Sequence, residues 1–243
     1  MIKIKAIVLA GGYAKRLWPI TKDMSKPLIE IGGKPVINYV MEQLQDIPEI
    51  EQIYVSTNKK FEGQFSEWLK KYGFRKTKVI IENTINEGEK LGAVGGIDYV
   101  IRKEDIEGEC LIVAGDNLFD FRIHDFILYY KKREAPVLAV LDILDKEKAK
   151  LYGNVEVDDD DKITNFVEKP PEPKSTLVAT CCFIIPAASL VKKYIEGKNN
   201  RDSPGFFNQW LYKQMPYFGF TFRGKWYDIG DFKSLDAAKE FNE

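Results

Sequence analysis

The chain has 243 residues, 44% hydrophobic and 30% charged, which is enough apolar surface for a substantial core and far from a disordered composition. Its 36 basic and 37 acidic residues leave a net charge of −1, so no global field marks a nucleic-acid or membrane partner, and no apolar run approaches the roughly 20 residues of a spanning helix. The single histidine, His124, excludes a multi-histidine metal site, and Cys110, Cys181 and Cys182 are too few and badly spaced for a disulfide framework or a zinc site. The start, Met1 to Val8, lacks the long apolar stretch of a signal peptide, so the expected location is cytoplasmic. Catalysis, if present, falls to carboxylates, Lys, Arg and backbone amides.

In chain order, Ile4 to Ala10 reads as a strand, Pro35 to Leu44 as a helix with Pro35 in its first turn, and Gln52 to Asn58 as a strand. Phe61 to Tyr72 is helical and stops at Gly73; Lys78 to Glu82 is a strand, Leu91 to Arg102 a helix, and Cys110 to Ala114 a strand. His124 precedes an amphipathic stretch and marks a helix start. The second half is richer in strands, at Pro136 to Ile143, Gly153 to Val157, Lys162 to Glu168, Leu177 to Ile185 and Phe218 to Phe222. Helices return at Ala187 to Ile195, Phe206 to Gln214 and Phe232 to Phe241. The run Asp158–Asp161 lacks the spacing of a calcium loop and reads as a solvated hairpin turn. Strand–helix alternation in the first half implies an α/β fold with a doubly wound, mainly parallel, Rossmann-like sheet, which binds ligands beyond the carboxyl ends of its strands.

Four segments could carry chemistry. In Leu9-Ala10-Gly11-Gly12-Tyr13-Ala14-Lys15-Arg16, a buried strand runs into paired glycines whose free N–H groups can meet an anion, with Arg16 and Lys26 to supply positive charge; a tight turn beside solvated cations reads equally well. Asp116, at the carboxyl end of the apolar run Leu111 to Ala114, can hold Mg²⁺ against phosphates or simply make a turn. Asp228, in Trp226-Tyr227-Asp228-Ile229-Gly230, offers a second carboxylate; capping the last helix is its other reading, for which Asp231 is better placed. Glu168-Lys169, closed off by Pro170 and Pro171, suits sugar hydroxyls and a phosphate, or a surface ion pair.

Together, Gly11-Gly12, Arg16-Leu17, Pro19, Thr21, Lys26-Pro27, Gly115-Asp116, Glu168-Lys169-Pro170 and Trp226 to Gly230 resemble the sugar-1-phosphate nucleotidylyltransferases, over Ile4 to about Ala237. Gly115 to Phe119 is most similar to the glucose-1-phosphate thymidylyltransferase branch. The resemblance implies one nucleotidyltransferase domain over 1–243, with a nucleotide-binding part at 1–135 and a sugar-binding part with C-terminal helices at 136–243. It implies transfer of a nucleotidyl group from an NTP, dTTP favoured, to a sugar-1-phosphate, glucose-1-phosphate favoured, with Mg²⁺ as cofactor and pyrophosphate released. It implies Arg16, Lys26, Asp116, Lys169 and Asp228 as the catalytic set, with Asp116 and Asp228 holding the metal. Leu9, Gly11, Gly12, Lys15, Glu87 and Gly92 would contact the nucleotide, and Gly153, Glu168, Lys169 and Thr180 the sugar. A homo-oligomer is compatible with the sequence.

The departures shape further expectations. Ala14 and Lys15 stand where the family has Gly and Thr or Ser; Ala14 disfavours a positive φ, which predicts a tighter or different loop path. Cys181 stands where glycine is common and would narrow the sugar pocket. Glu87 stands near a glutamine of uridylyl and thymidylyl enzymes; an ionised Glu87 only accepts hydrogen bonds, which points to GTP or CTP. Uridylyl, guanylyl and cytidylyl transfer, phosphocholine as acceptor with Tyr152 and Trp226 around its ammonium, and a non-catalytic nucleotide-sugar-binding or scaffold protein are the alternative readings.

Overall fold

The computed structural model describes residues 2–242. In the first half, β1 (Ile4–Leu9), a short hairpin of β2 (Glu30–Ile31) and β3 (Lys34–Pro35), α1 (Val36–Gln45), β4 (Ile50–Asn58), α2 (Glu62–Tyr72), β5 (Thr77–Glu82), α3 (Ala93–Lys103) and β6 (Cys110–Ala114) follow the expected alternation. Then come β7 (Asn117–Phe119), α4 (Ile123–Arg133), β8 (Val137–Asp142), α5 (Lys146–Ala149), β9 (Gly153–Val157), β10 (Ile163–Glu168) and β11 (Leu177–Ile185). The chain ends with α6 (Ser189–Glu196), α7 (Pro204–Leu211), β12 (Phe218–Phe222), β13 (Trp226–Asp228) and α8 (Phe232–Ala237).

Nine strands form one sheet in the order β10-β9-β11-β6-β1-β4-β5, with β8 beside β11 and β12 beside β8. The β6-β1-β4-β5 portion is parallel, as the alternating first half requires, because parallel neighbours need helical crossovers. β11 runs antiparallel to β6, β8 and β9 and fastens the strand-rich second half onto the same sheet. Both faces are covered: α1, α2 and α4 bury one around Met41, Phe65 and Phe126, and α3, α6 and α7 bury the other around Ile97, Tyr194 and Phe207. Buried on both sides, β6 reads as the unbroken apolar run Cys110 to Ala114. No helix among the described residues is long and apolar enough to cross a membrane.

Three local expectations change. Pro35 is the residue before α1, paired with Glu30 in the small hairpin, rather than in the helix's first turn. The helix expected from Phe206 begins at Pro204, where Ser203 Oγ accepts the Gly205 N–H at 3.2 Å and Pro204 needs no partner for an N–H it lacks. The stretch to Phe241 leaves α-helical geometry after Ala237 and tightens into a 3-10 turn. Asp231 caps α8 through Ser234 N at 2.9 Å. The acidic run is a hairpin turn: Asp158 Oδ1 accepts the Asp160 and Lys162 N–H groups, and Asp160 and Asp161 pair with Arg133.

Candidate active site

The site begins where β1 and β6 end side by side. Gly115 N–H donates to Leu9 O at 2.9 Å, and a Cβ on Gly115 would lie 3.1 Å from that oxygen, so the close approach of the two strand ends favours glycine. Asp116 follows. Asp228 comes from the far end of the sequence because β13 pairs antiparallel with β7 and sets Asp228 opposite Asn117. Asn117 then serves both carboxylates: its Nδ2 donates to Asp116 Oδ1 at 3.1 Å and to Asp228 Oδ1 at 3.2 Å, while its Oδ1 accepts Trp226 Nε1 at 2.9 Å. Lys26 completes the cluster with an ion pair to Asp116 Oδ2. Burial works to lower the Lys26 pKa, but Asp116 and Asp228 outweigh it and hold the ammonium above its usual range. Burial and the neighbouring Asp116 push Asp228 up, against the pull of Lys26.

The glycine loop lies beside this cluster. Ala14 does adopt the left-handed conformation, at φ 45° and ψ 44°, so the loop keeps the turn that alanine was expected to disfavour. Tertiary contacts hold it there: Thr21 Oγ1 and Leu17 N–H both donate to Ala14 O, at 2.7 and 3.0 Å. Arg16 follows in a 3-10 turn, forms no ion pair among the described residues, and rests against Gly230, where a Cβ would meet its Nη2 at 3.2 Å. Lys15 pairs with Glu87 at the half-exposed rim. That bond holds the Glu87 carboxyl below its usual range, so the group expected to read the base is already engaged by a cation.

On the β9–β10 side, Glu168 Oε1 accepts Ser203 Oγ at 2.8 Å, and its N–H donates to Gln209 Oε1 at 2.8 Å. The first turn of α7 packs so closely on Glu168 that a Cβ on Gly205 would fall 1.8 Å from Oε2. Lys169 turns the chain out of β10 at φ 47°, its N–H donating to Tyr152 O at 3.1 Å. Thr180 spends its one hydroxyl donor on Ala139 O at 2.9 Å, which leaves the oxygen able only to accept from a sugar hydroxyl. Strand alternation instead gives Ala179 and Cys181 the more exposed positions beside it. Burial, then Asp116, pushes the Cys181 thiol well above its ordinary range, so it acts as neutral bulk. Tyr152 and Trp226 meet edge to face, their ring centroids 5.0 Å apart, and both line the cleft.

All these elements open on one cleft of about 540 Å³, lined by every residue expected at the site: Leu9, Gly11, Gly12, Lys15, Arg16, Lys26, Glu87, Gly92, Asp116, Gly153, Glu168, Lys169, Thr180 and Asp228. His124 is not among the lining residues. Among the further lining residues, two buried polar ones stand out. Asn117 was legible only as part of a motif, and its bridging amide depends on a pairing with β13 across the sequence. Glu82, the last residue of β5, is buried beneath the glycine loop, and its position before a turn carries no signal that distinguishes it from Glu87.

Arg16, Lys26 and Lys169 thus line the same cleft as Asp116 and Asp228. The model of the nucleotidyl transferase family matches residues 5–243, and the chain belongs to that family. It is 26% identical to a glucose-1-phosphate adenylyltransferase of Trichlorobacter lovleyi, over 98% of this chain and 64% of that protein. It is 28% identical to a UTP–glucose-1-phosphate uridylyltransferase of Haloferax volcanii, over 73% of this chain and 70% of that protein. The chain thus spans less than two thirds of the first relative. A solved structure of UDP-glucose pyrophosphorylase with UDP-glucose shares the fold, with a TM-score of 0.81 at 21% identity, covering 100% of this chain and 98% of that one.

Proposed function

We propose that the chain transfers a nucleotidyl group from a nucleoside triphosphate to a sugar-1-phosphate, releasing pyrophosphate. Glucose-1-phosphate is the favoured acceptor, the sugar phosphate in the names of both relatives. The observation that carries the reading is the gathering of Arg16, Lys26 and Lys169 with Asp116 and Asp228 around one cleft.

The reaction brings two polyanions together, so its barrier is lowered by placement and charge neutralisation. A sugar-phosphate oxygen attacks the α-phosphorus; the new P–O bond forms as the bond to the β-phosphate oxygen breaks, and the electron pair leaves with pyrophosphate. The nucleophile is already an anion at neutral pH and needs no general base. Arg16 steadies the leaving pyrophosphate, Lys26 bridges phosphates at the reacting centre, and Lys169 orients the sugar phosphate. Glu168 and the Gly153 backbone meet sugar hydroxyls. The Asp116–Asp228 donor set is hard and oxygen-only, and no group of three or more His, Cys, Asp or Glu among the described residues can hold a metal. Asp116 and Asp228 would hold a Mg²⁺ ion, which would neutralise phosphate charge when bound.

Of the base expectations, dTTP rests on the likeness of Gly115 to Phe119, while the Glu87 argument for GTP or CTP loses its free carboxylate to Lys15. The test is pyrophosphate release with Mg²⁺ over a panel of NTPs, dTTP and sugar-1-phosphates, repeated with Asp116→Asn. The expected result is turnover that requires one nucleotide and one sugar phosphate and falls about 10²-fold or more in the variant. Silence across the panel with nucleotide binding intact by calorimetry would favour the non-catalytic binding protein.

A further inference from the structure

Asn208 is a buried amide that the mechanism above does not use. It stands on the inward face of α7 with the apolar Phe207 and Leu211, is only 1% exposed, and lines the cleft. Its oxygen is engaged: Oδ1 accepts the Tyr217 hydroxyl at 3.0 Å. Burial pushes that phenol well above its ordinary range, so it stays protonated and donates. The bond fixes which way the amide faces, because an acceptor at the phenol end leaves both N–H donors at the other. Nδ2 has no partner among the described residues, and it is not sealed off from the cleft. Buried polar groups in a folded chain are paired, so two donors directed into a cleft without an acceptor are an arrangement that a ligand oxygen completes.

Its place on α7 says which part of the ligand that is. Gly205 and Asn208 are three residues apart on the helix and share a face, about 5–6 Å from one another. The Glu168 carboxylate packs on Gly205, so Asn208 sits one turn along α7 from that carboxylate. This is the β9–β10 side of the cleft, across β11 from Asp116 and the reacting phosphates. Glu168 and Thr180, the other side chains expected to meet sugar hydroxyls, can only accept, the first as a carboxylate and the second because its donor is spent on Ala139 O. A sugar hydroxyl both donates and accepts, and acceptors alone would hold it through its hydrogen only. Asn208 supplies the missing donor.

Resting on the nucleotidyl-transfer reading, we infer that Asn208 binds the acceptor sugar, its Nδ2 donating to the oxygen of a ring hydroxyl that neighbours the one whose hydrogen Glu168 accepts. Carboxylate and amide then hold a vicinal pair of hydroxyls from opposite polarities, and the class of acceptor selected is a sugar-1-phosphate that carries both. An analogue lacking the hydroxyl at Asn208 leaves the amide buried and unpaired, a loss that a hydrogen-bonding site registers more strongly than an apolar pocket registers a missing methylene. Tyr217 is a positioning residue: it does not touch the sugar, and it holds the amide donors toward it.

The experiment finds the best acceptor among glucose-, galactose- and mannose-1-phosphate, then measures kcat and KM for it and for each of its monodeoxy analogues. The proteins are the native chain, Tyr217→Phe, and Asn208→Leu made together with Tyr217→Phe, which removes both partners of the buried bond at once and leaves no orphaned hydroxyl. Binding of the same sugar phosphates is followed separately by calorimetry. With the native protein, one monodeoxy analogue falls below the parent sugar by about 10-fold or more in kcat/KM. The double variant raises KM for the parent by about 10-fold or more, leaves KM for the nucleotide unchanged, and no longer distinguishes that analogue from the parent. Tyr217→Phe keeps the discrimination, with a KM for the sugar phosphate between those of the other two proteins. A loss shared equally by every analogue, a raised KM for the nucleotide, or variants that match the native protein overturns the assignment while leaving nucleotidyl transfer intact. Should the double variant not fold, Tyr217→Phe decides, and an unchanged KM for the sugar phosphate overturns the assignment. If no sugar phosphate is turned over but the binding preference for the parent over one monodeoxy analogue depends on Asn208, the sugar contact stands and the transfer reading fails.

Discussion

Replacing Lys26 with methionine keeps most of the side chain's length and removes the charge that balances Asp116. The Lys26 side chain is 13% exposed and that of Asp116 20%, so water screens the pair only weakly. Two unit charges about 4 Å apart in an effective dielectric near 20 attract by about 4 kcal/mol. Removing one partner of a buried pair costs about 3–5 kcal/mol, and the residual solvent access places this site near about 3 kcal/mol. At about 2–4 °C per kcal/mol for a chain of this size, the melting temperature should fall by about 6–12 °C. A divalent cation can replace the lost charge between Asp116 and Asp228, so Mg²⁺ without nucleotide should restore much of the loss in Lys26→Met. The same Mg²⁺ should stabilise the native protein far less, because Lys26 already neutralises Asp116. Thermal denaturation of both proteins with and without MgCl₂ reads the effect; turnover of the variant should fall about 10²–10³-fold. A variant melting within about 2 °C of the native protein, or an equal Mg²⁺ shift in both, would refute the view of Lys26 as the internal counter-ion of this cluster.

Ala14→Gly relieves a left-handed alanine and should stabilise by about 0.5–1 kcal/mol after the added unfolded-state entropy of glycine, read as a higher urea midpoint at unchanged m. Gly205→Ala places a methyl on the Glu168 carboxylate, so KM for the sugar phosphate should rise much more than kcat falls; equal loss in both would place Glu168 away from the acceptor. Glu82→Gln removes a carboxyl whose folded pKa is raised above the unfolded value of about 4.5. The folded native protein retains that proton where the unfolded chain has lost it, so its stability falls as pH climbs from the unfolded to the folded pKa and then levels off. The variant should therefore gain on the native protein through that window and hold a constant advantage above it; a melting-temperature difference independent of pH would contradict this. Asp231→Ala removes the cap of α8 and should cost about 1 kcal/mol, seen as a lower melting temperature.

The strands β6, β9, β11 and β12 and the alternation of the first half were legible because period and length are local properties: an apolar run of five residues is buried wherever it goes. The glycine loop, Asp116 and the Glu168–Lys169 pair were legible for a related reason, since each sits at the end of a strand that can be read from its own residues. What the sequence alone did not carry was pairing at a distance. β7 and β13 are three residues each, too short for any periodicity, and only their mutual register sets Asp228 opposite Asn117. The left-handed Ala14 contradicts its local preference because Thr21 and Leu17 hold its carbonyl. Glu87 and Glu82 have the same side chain five residues apart. Lys15 claims the first at the rim, while Gly11 and Gly96 make room for the second beneath the loop, a difference in burial and partner that comes into being only when β5 is laid into the sheet and α3 folds back across it.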